Sequence, residues 1–186
     1  MEHHGQDTPN KRVYDVSIIR PQIRINDIKL RGQGMSSSRL KGIRRGLVTF
    51  HTLETMAVTI YQFQIMKKPS EYNRQLVAAM CNEMTHLQDF QAKLFEYGFR
   101  PSIFRWAYWL VGFTFGFFSR LMGIKATLKT DIWAETKAVN HYGELLRTID
   151  WDEDTRKMIE KNQADEYGHV KAWQNLLQLE EAEGKI

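Results

Sequence analysis

A single cysteine, Cys81, stands in 186 residues, which excludes an intramolecular disulfide and a cysteine-built zinc cage. That scarcity suits a reducing cytosol. The opening stretch, MEHHGQDTPNKRV, has no apolar core of the secretory kind. No uncharged run is long enough to span a bilayer. The longest, Trp106 to Ser119, has fourteen residues, where a spanning helix needs roughly 18 or more. Strand signals are scarce too: VSIIRPQIRINDIKLR alternates weakly around Pro21, and no second run exists to pair with it.

What is present is a globular, helix-forming chain. Charged residues are 26% and hydrophobic residues 42%, which supports one domain with a substantial core. The net charge of +4 is uneven, because residues 1–49 carry ten Lys/Arg against four Asp/Glu. Such an arm suits a nucleic acid or an anionic membrane, and equally a solvated tail. The pattern predicts a basic extended arm over 1–38, a helical bundle over 39–180 and a short tail over 181–186. Helices are expected at about 39–67 (capped by Ser36 to Ser38), 70–97, 102–122, 125–149 and 151–180. The last is expected to start in a capping box of Asp150 and Glu153. The third is unusual: WAYWLVGFTFGFFS, flanked by Arg100, Arg105, Arg120 and Lys125, reads as an interfacial helix, with a core or oligomer contact as the alternative.

Polar residues interrupt the apolar stripes in a repeated order. In CNEMTHLQDF, Glu83 and His86 fall three residues apart on the stripe of Leu76, Leu87, Phe90 and Leu94. Glu166 and His169 do the same in DEYGHVKAW. The two remaining long helices each place one glutamate on their stripes, Glu54 and Glu135. Glu54 precedes Glu83 by 29 residues, Glu135 precedes Glu166 by 31, and each lone glutamate is followed seven positions later by a tyrosine, Tyr61 or Tyr142. This is a duplicated helical hairpin with the aromatic helix inserted between the copies.

A carboxylate buried without a partner is costly. Four carboxylates and two imidazoles balance two divalent ions and supply both bridging and terminal donors, the arrangement of di-iron four-helix bundles. The predicted metal ligands are Glu54, Glu83, His86, Glu135, Glu166 and His169, with Glu135 and Glu166 expected to bridge. The oxygen-rich donor set favours two iron ions, with manganese as the alternative.

On these residues the chain resembles the demethoxyubiquinone hydroxylases, di-iron monooxygenases of ubiquinone biosynthesis in the ferritin-like superfamily. ETMAVTIYQ, AETKAVNHY and FRPSIFRWAYWLVGFTFGFFSRLMG carry the likeness beyond the ligands, which spans about 47–176; the approach to the first ligand, LVTFHTLET, departs from the family pattern. The resemblance implies an all-α, ferritin-like four-helix bundle with an inserted amphipathic aromatic helix. It implies hydroxylation of a demethoxyubiquinone-type prenylated quinone with O2 and NADH or another reductant. It also implies peripheral attachment to a membrane through the helix Trp106 to Met122, on the cytoplasmic face or, in a eukaryote, at the mitochondrial inner membrane. No nucleic-acid partner is expected; a homo-oligomer or a lipid-binding partner protein is compatible with it. The catalytic candidates are Tyr142, His141 and Tyr61, for positioning the ring or passing protons or electrons.

Other readings compete. A ferritin-like oxidase or peroxidase would use the same ligands, although no C-x-x-C pair of the rubrerythrin kind is present. A non-catalytic quinone- or lipid-binding relative is the third. His51 reads as a core histidine or as a support for Glu54, Asp165 as a carboxylate orienting a ligand imidazole or as a solvated residue, and Cys81 as a small core residue.

Overall fold

The computed structural model describes residues 24–183; residues 1–23, the larger part of the expected arm, and 184–186, in the expected tail, lie outside the described residues. One short 3-10 turn, Ile25–Asp27, precedes five α-helices: α1 Ser37–Gln64, α2 Glu71–Glu96, α3 Arg105–Leu121, α4 Ile124–Thr148 and α5 Glu153–Glu183. Among the described residues there is no strand, so the fold is the expected all-α bundle.

Local chemistry sets most helix ends. The Ser36 hydroxyl accepts from the Arg39 N–H, and the Ser70 hydroxyl does the same for Asn73, satisfying donors that a helix start leaves free. The capping box expected at Asp150 does not form. The Asp152 carboxylate accepts from the Thr155 N–H at 3.2 Å, whereas Asp150 faces Arg39 at 3.0 Å. Arg39 also donates to the carbonyls of Asp150 and Trp151, so a contact from α1 holds this turn and shifts the cap by two residues.

The hairpins α1–α2 and α4–α5 pack within themselves and then against each other, α1 facing α4 and α2 facing α5. Two apolar clusters fill the ends of the bundle. Phe50, Phe90, Tyr142, Trp151 and Ile159 belong to one; Tyr61, Leu76, Leu128 and Trp173 belong to the other. Each large side chain taken fully from water contributes about 1.5–3 kcal/mol, and emptying the Phe50 site to alanine would cost about 3–5 kcal/mol. The polar stripe residues lie between these clusters.

α3 lies along α1 and touches α4. Its seating depends on two glycines: a Cβ on Gly112 would stand 2.6 Å from the Met56 carbonyl oxygen, and one on Gly116 would collide with the Ile60 carbonyl. The two backbones therefore touch along one face of α3, and the other face is left to solvent. Trp106, Phe118 and Leu121 are more than half exposed. No helix among the described residues is long and apolar enough to cross a membrane.

Two expectations change. Cys81 is exposed rather than a core residue, because the stripe of α2 turns Glu83 inward and Cys81 outward. The end of the expected arm is clamped: Arg31 bonds Glu96 at 2.7 Å, Asp152 at 2.5 Å and Asp154 at 3.0 Å, joining the end of α2 to the start of α5. Lys93 and Arg31 more than offset burial and hold the Glu96 carboxyl below its ordinary range.

Candidate metal centre

The four bundle helices bring the six predicted ligands to one place, and they divide into two sets. Glu54, Glu83, His86 and Glu166 form one; Glu83, Glu135, Glu166 and His169 form the other, and in each set one donor atom per residue lies within 4.8 Å of the rest. Glu83 and Glu166 belong to both. His86 Nδ1 stands 3.3 Å from Glu83 Oε2 and 3.0 Å from Glu166 Oε1. His169 Nδ1 stands 2.9 Å from Glu83 Oε1 and 3.5 Å from Glu166 Oε2. Each shared carboxylate thus offers one oxygen to each imidazole. Glu54 reaches only the His86 set, at 3.9 Å, and Glu135 only the His169 set, at 3.7 Å.

The shared pair is therefore Glu83 and Glu166, not Glu135 and Glu166. The cause is the packing. α2 and α5 face each other and bring their Glu-x-x-His glutamates to the middle, while the lone glutamates of α1 and α4 enter from the flanks.

The donors fit a pair of cations. Glu83 Oε1, both Glu166 carboxylate oxygens and His169 Nδ1 are buried with no hydrogen-bond partner, although Glu83 Oε1 and His169 Nδ1 are only 2.9 Å apart. Close, buried, unbonded donor atoms aimed at common points are what a metal ion satisfies. The electrostatics agree. Burial, reinforced by neighbouring carboxylates, pushes the Glu54 and Glu135 carboxyls well above their ordinary range. For Glu83 and Glu166 burial acts the same way, but the two histidines more than offset it and hold both carboxyls low. Burial disfavours the imidazolium forms, yet Glu166 and Glu83 overcome it and push His86 up to about 12 and His169 to about 9.

The surrounding hydrogen bonds cross the bundle reciprocally. Tyr142 of α4 donates to Glu54 of α1, and Tyr61 of α1 donates to Glu135 of α4. Tyr61 also accepts from the Trp173 indole at 3.1 Å. Asp165 Oδ2 faces His86 Nε2 at 3.2 Å and turns its Nδ1 toward the shared glutamates. His51 is a core histidine held to Gln91 at 2.9 Å, with no bond to Glu54.

An apolar cleft of about 240 Å³ opens onto Glu54, Glu83, Glu135 and Glu166, walled by Leu53, Met56, Ala57, Ile60, Ala134 and Ala138. Met56 and Ile60 are also the residues on which α3 sits, so the cleft lies beside the aromatic helix. Of the three catalytic candidates only His141 lines it. The tyrosine hydroxyls are engaged by glutamates, and neither tyrosine ring borders the cleft.

Sequence reasoning missed a second buried polar group. Gln64 donates to Asp131 Oδ1 at 2.7 Å and to Ser119 of α3 at 3.1 Å. Asp131 sits one turn before Glu135, a spacing that could have revealed it. It also missed Lys137 at the cleft, for which the sequence carries no signal.

A four-helix bundle that gathers two histidines and four glutamates into two donor sets, sharing Glu83 and Glu166, is of the ferritin-like class, and its buried donors could hold metal. The comparisons narrow this. The family model described as ubiquinone biosynthesis protein COQ7 matches residues 43–182, and the chain belongs to that family. It is similar to the NADPH-dependent 3-demethoxyubiquinone 3-hydroxylase, mitochondrial, of Dictyostelium discoideum, with 28% identity over 133 residues. The match spans 69% of this chain and 61% of that relative's length.

Proposed function

We propose that this chain hydroxylates a demethoxyubiquinone-type prenylated ring, using O2 and a nicotinamide or other reductant, while attached to a membrane surface. The observation that carries this reading is the joining of two interlocked donor sets to an apolar cleft beside an apolar exposed helix. Glu83 and Glu166 would bridge two iron ions; Glu54 with His86, and Glu135 with His169, would complete them. Iron held there would supply the redox chemistry that reduces O2 and delivers one oxygen to the ring.

The remaining work belongs to the chain's own groups. A cavity of roughly 150 Å³ accepts benzene, so the cleft suits one substituted ring and leaves the prenyl tail outside. Tyr142 and Tyr61 hold the flanking glutamates in place, and Asp165 fixes the tautomer and direction of His86. The walls exclude water from the carboxylate floor. Trp106, Phe118 and Leu121 of α3 would rest in the headgroup boundary, so a lipid-dissolved substrate reaches the cleft without crossing water. Phe113 points partly inward, its ring 4.7 Å from Phe63, and is a poorer lipid anchor than these three.

The test supplies iron-loaded protein with demethoxyubiquinone, reductant and ¹⁸O2, and weighs the product. One ¹⁸O in the ring is expected. Iron oxidation or peroxide consumption with no labelled quinone overturns the reading in favour of an oxidase. Trp106→Ser with Leu121→Ser should weaken binding to anionic vesicles and leave metal content at two per chain; unchanged vesicle binding would remove the membrane from the proposal.

A further inference from the structure

The outer faces of α2 and α5 pair their charges, as helices facing water do. Arg74 faces Glu71, Lys157 faces Glu153 and Lys161 faces Asp165, with N to O distances of 2.6–3.1 Å. The stretch 97–143 differs. Its six lysines and arginines, Arg100, Arg105, Arg120, Lys125, Lys129 and Lys137, are all exposed, whereas its two acids, Asp131 and Glu135, are both buried. No cation on α3, or on α4 up to Gly143, has an acid three or four residues away on its own helix. Lys125, Lys129, Trp133 and Lys137 follow one another at four-residue spacing and share one edge of α4, about 18 Å long. Trp133 is half exposed, and its ring lies parallel to that of Phe115 of α3, 5.8 Å away with 3° between the planes. That stack joins the lysine edge to the exposed aromatic face of α3. Lys137, exposed yet lining the cleft, brings the edge to the cleft's rim.

From this we infer that the lysine edge of α4, with Trp133, is a second lipid-contacting surface, one that seats on anionic phospholipid headgroups beside α3. The inference rests on the membrane reading of α3 and deepens it. Ammonium groups with no carboxylate on their own face attract headgroup phosphates without competition. Their alkyl stems lie along apolar surface while the charged ends stay wet, and a tryptophan at the same depth buries its ring. A nucleic acid or an acidic protein would answer the lysines but not the broad aromatic face continuous with them, so lipid is the occupant that fits both. The second contact has a consequence for the site. A single helix lying in an interface can roll about its axis, whereas two lines of contact fix the roll. Fixed in this way, the rim at Lys137 faces the headgroup layer, where a lipid-dissolved ring arrives.

The experiment places the full, metal-loaded chain, carrying fluorotryptophan, in phosphatidylglycerol-containing bicelles with and without a nitroxide-headgroup lipid. The fluorine signal of Trp133, assigned with W133F, should be broadened by the nitroxide as those of Trp106 and Trp109 are, while the buried Trp151 and Trp173 stay sharp. Broadening at Trp106 and Trp109 but not at Trp133 overturns the inference and leaves the membrane reading standing. No broadening at any tryptophan ends both. Cosedimentation then tests the lysines. K125Q/K129Q should bind phosphatidylglycerol vesicles about thirtyfold more weakly, with metal content and helicity unchanged, and K125R/K129R should bind as the wild type does. R74Q/K157Q removes the same charge from paired sites on α2 and α5 and should lose less than about threefold. Equal losses in the two glutamine variants would reduce the lysines to net charge and overturn the inference. So would a K125Q/K129Q protein that loses heparin binding but keeps vesicle binding, which would give the edge to a polyanionic partner.

Discussion

The two hairpins occupy equivalent places around the centre, and their differences are more informative than their likeness. Each supplies a lone glutamate, a Glu-x-x-His pair and a tyrosine that reaches across to the other half's glutamate. Around that common frame the halves diverge. One turn before Glu54 stands Phe50, wholly apolar and stacked on Phe90 at 4.7 Å. One turn before Glu135 stands Asp131, equally buried but held by Gln64. The residue before Glu166 is Asp165, which orients His86; the residue before Glu83 is Asn82, whose buried oxygen has no partner. His86 is fully buried, whereas the His169 side chain is 11% exposed. The first half's imidazole is the more tightly held, although the two halves supply the same donor types.

Breaking the shared glutamates should have the largest effect. Glu83→Ala or Glu166→Ala should empty both metal positions and lower turnover by at least about a hundredfold, while Glu54→Ala or Glu135→Ala should leave about one ion per chain. Elemental analysis separates these outcomes; two ions retained in Glu166→Ala would end the assignment of a bridge. Asp165→Asn should come next, weakening metal at the His86 position about 10–100-fold. Asn82→Ala should change affinity little, and metal titrations that shift equally for both variants would erase the asymmetry.

The tyrosines should differ less. Tyr61→Phe leaves both a Glu135 oxygen and the Trp173 N–H unpartnered, whereas Tyr142→Phe strands only Glu54. Each stranded buried group costs about 1–3 kcal/mol, so Tyr61→Phe should be the more destabilised in denaturant melts.

The smallest effect concerns pH and belongs to the second half alone. Burial pushes the Asp131 carboxyl up to about 8, against which its bond from Gln64 acts only partly. Between about 4 and 8 the folded chain then keeps a proton that the unfolded chain has lost. Stability therefore falls as pH rises through that window. Asp131→Asn should flatten that slope, measured as the difference in unfolding free energy between the two proteins at pH 5, 6 and 7. Identical slopes would mean that Asp131 is ionised in the fold.

Much of this was legible along the chain. Ser36 and Ser70 announce the starts of α1 and α2, and the two Glu-x-x-His pairs with their preceding glutamates mark one inward stripe. Those signals are local, set by a residue's place within a turn. Asp152 replacing Asp150 as the cap was not legible, because Arg39, more than a hundred residues away, decides it. The same holds for Arg31, whose three acidic partners come from two different helices.

By itself the sequence determined the helical class, the duplication and the six polar residues on apolar stripes, since period and spacing are properties of a single helix. Only the tertiary structure decided that Glu83 and Glu166 are the shared pair, that Tyr61 and Tyr142 serve glutamates rather than the cleft, and that Lys137 stands at its rim. Each of those depends on which helix faces which, and the packing of distant stripes settles that. No residue's immediate neighbours encode it.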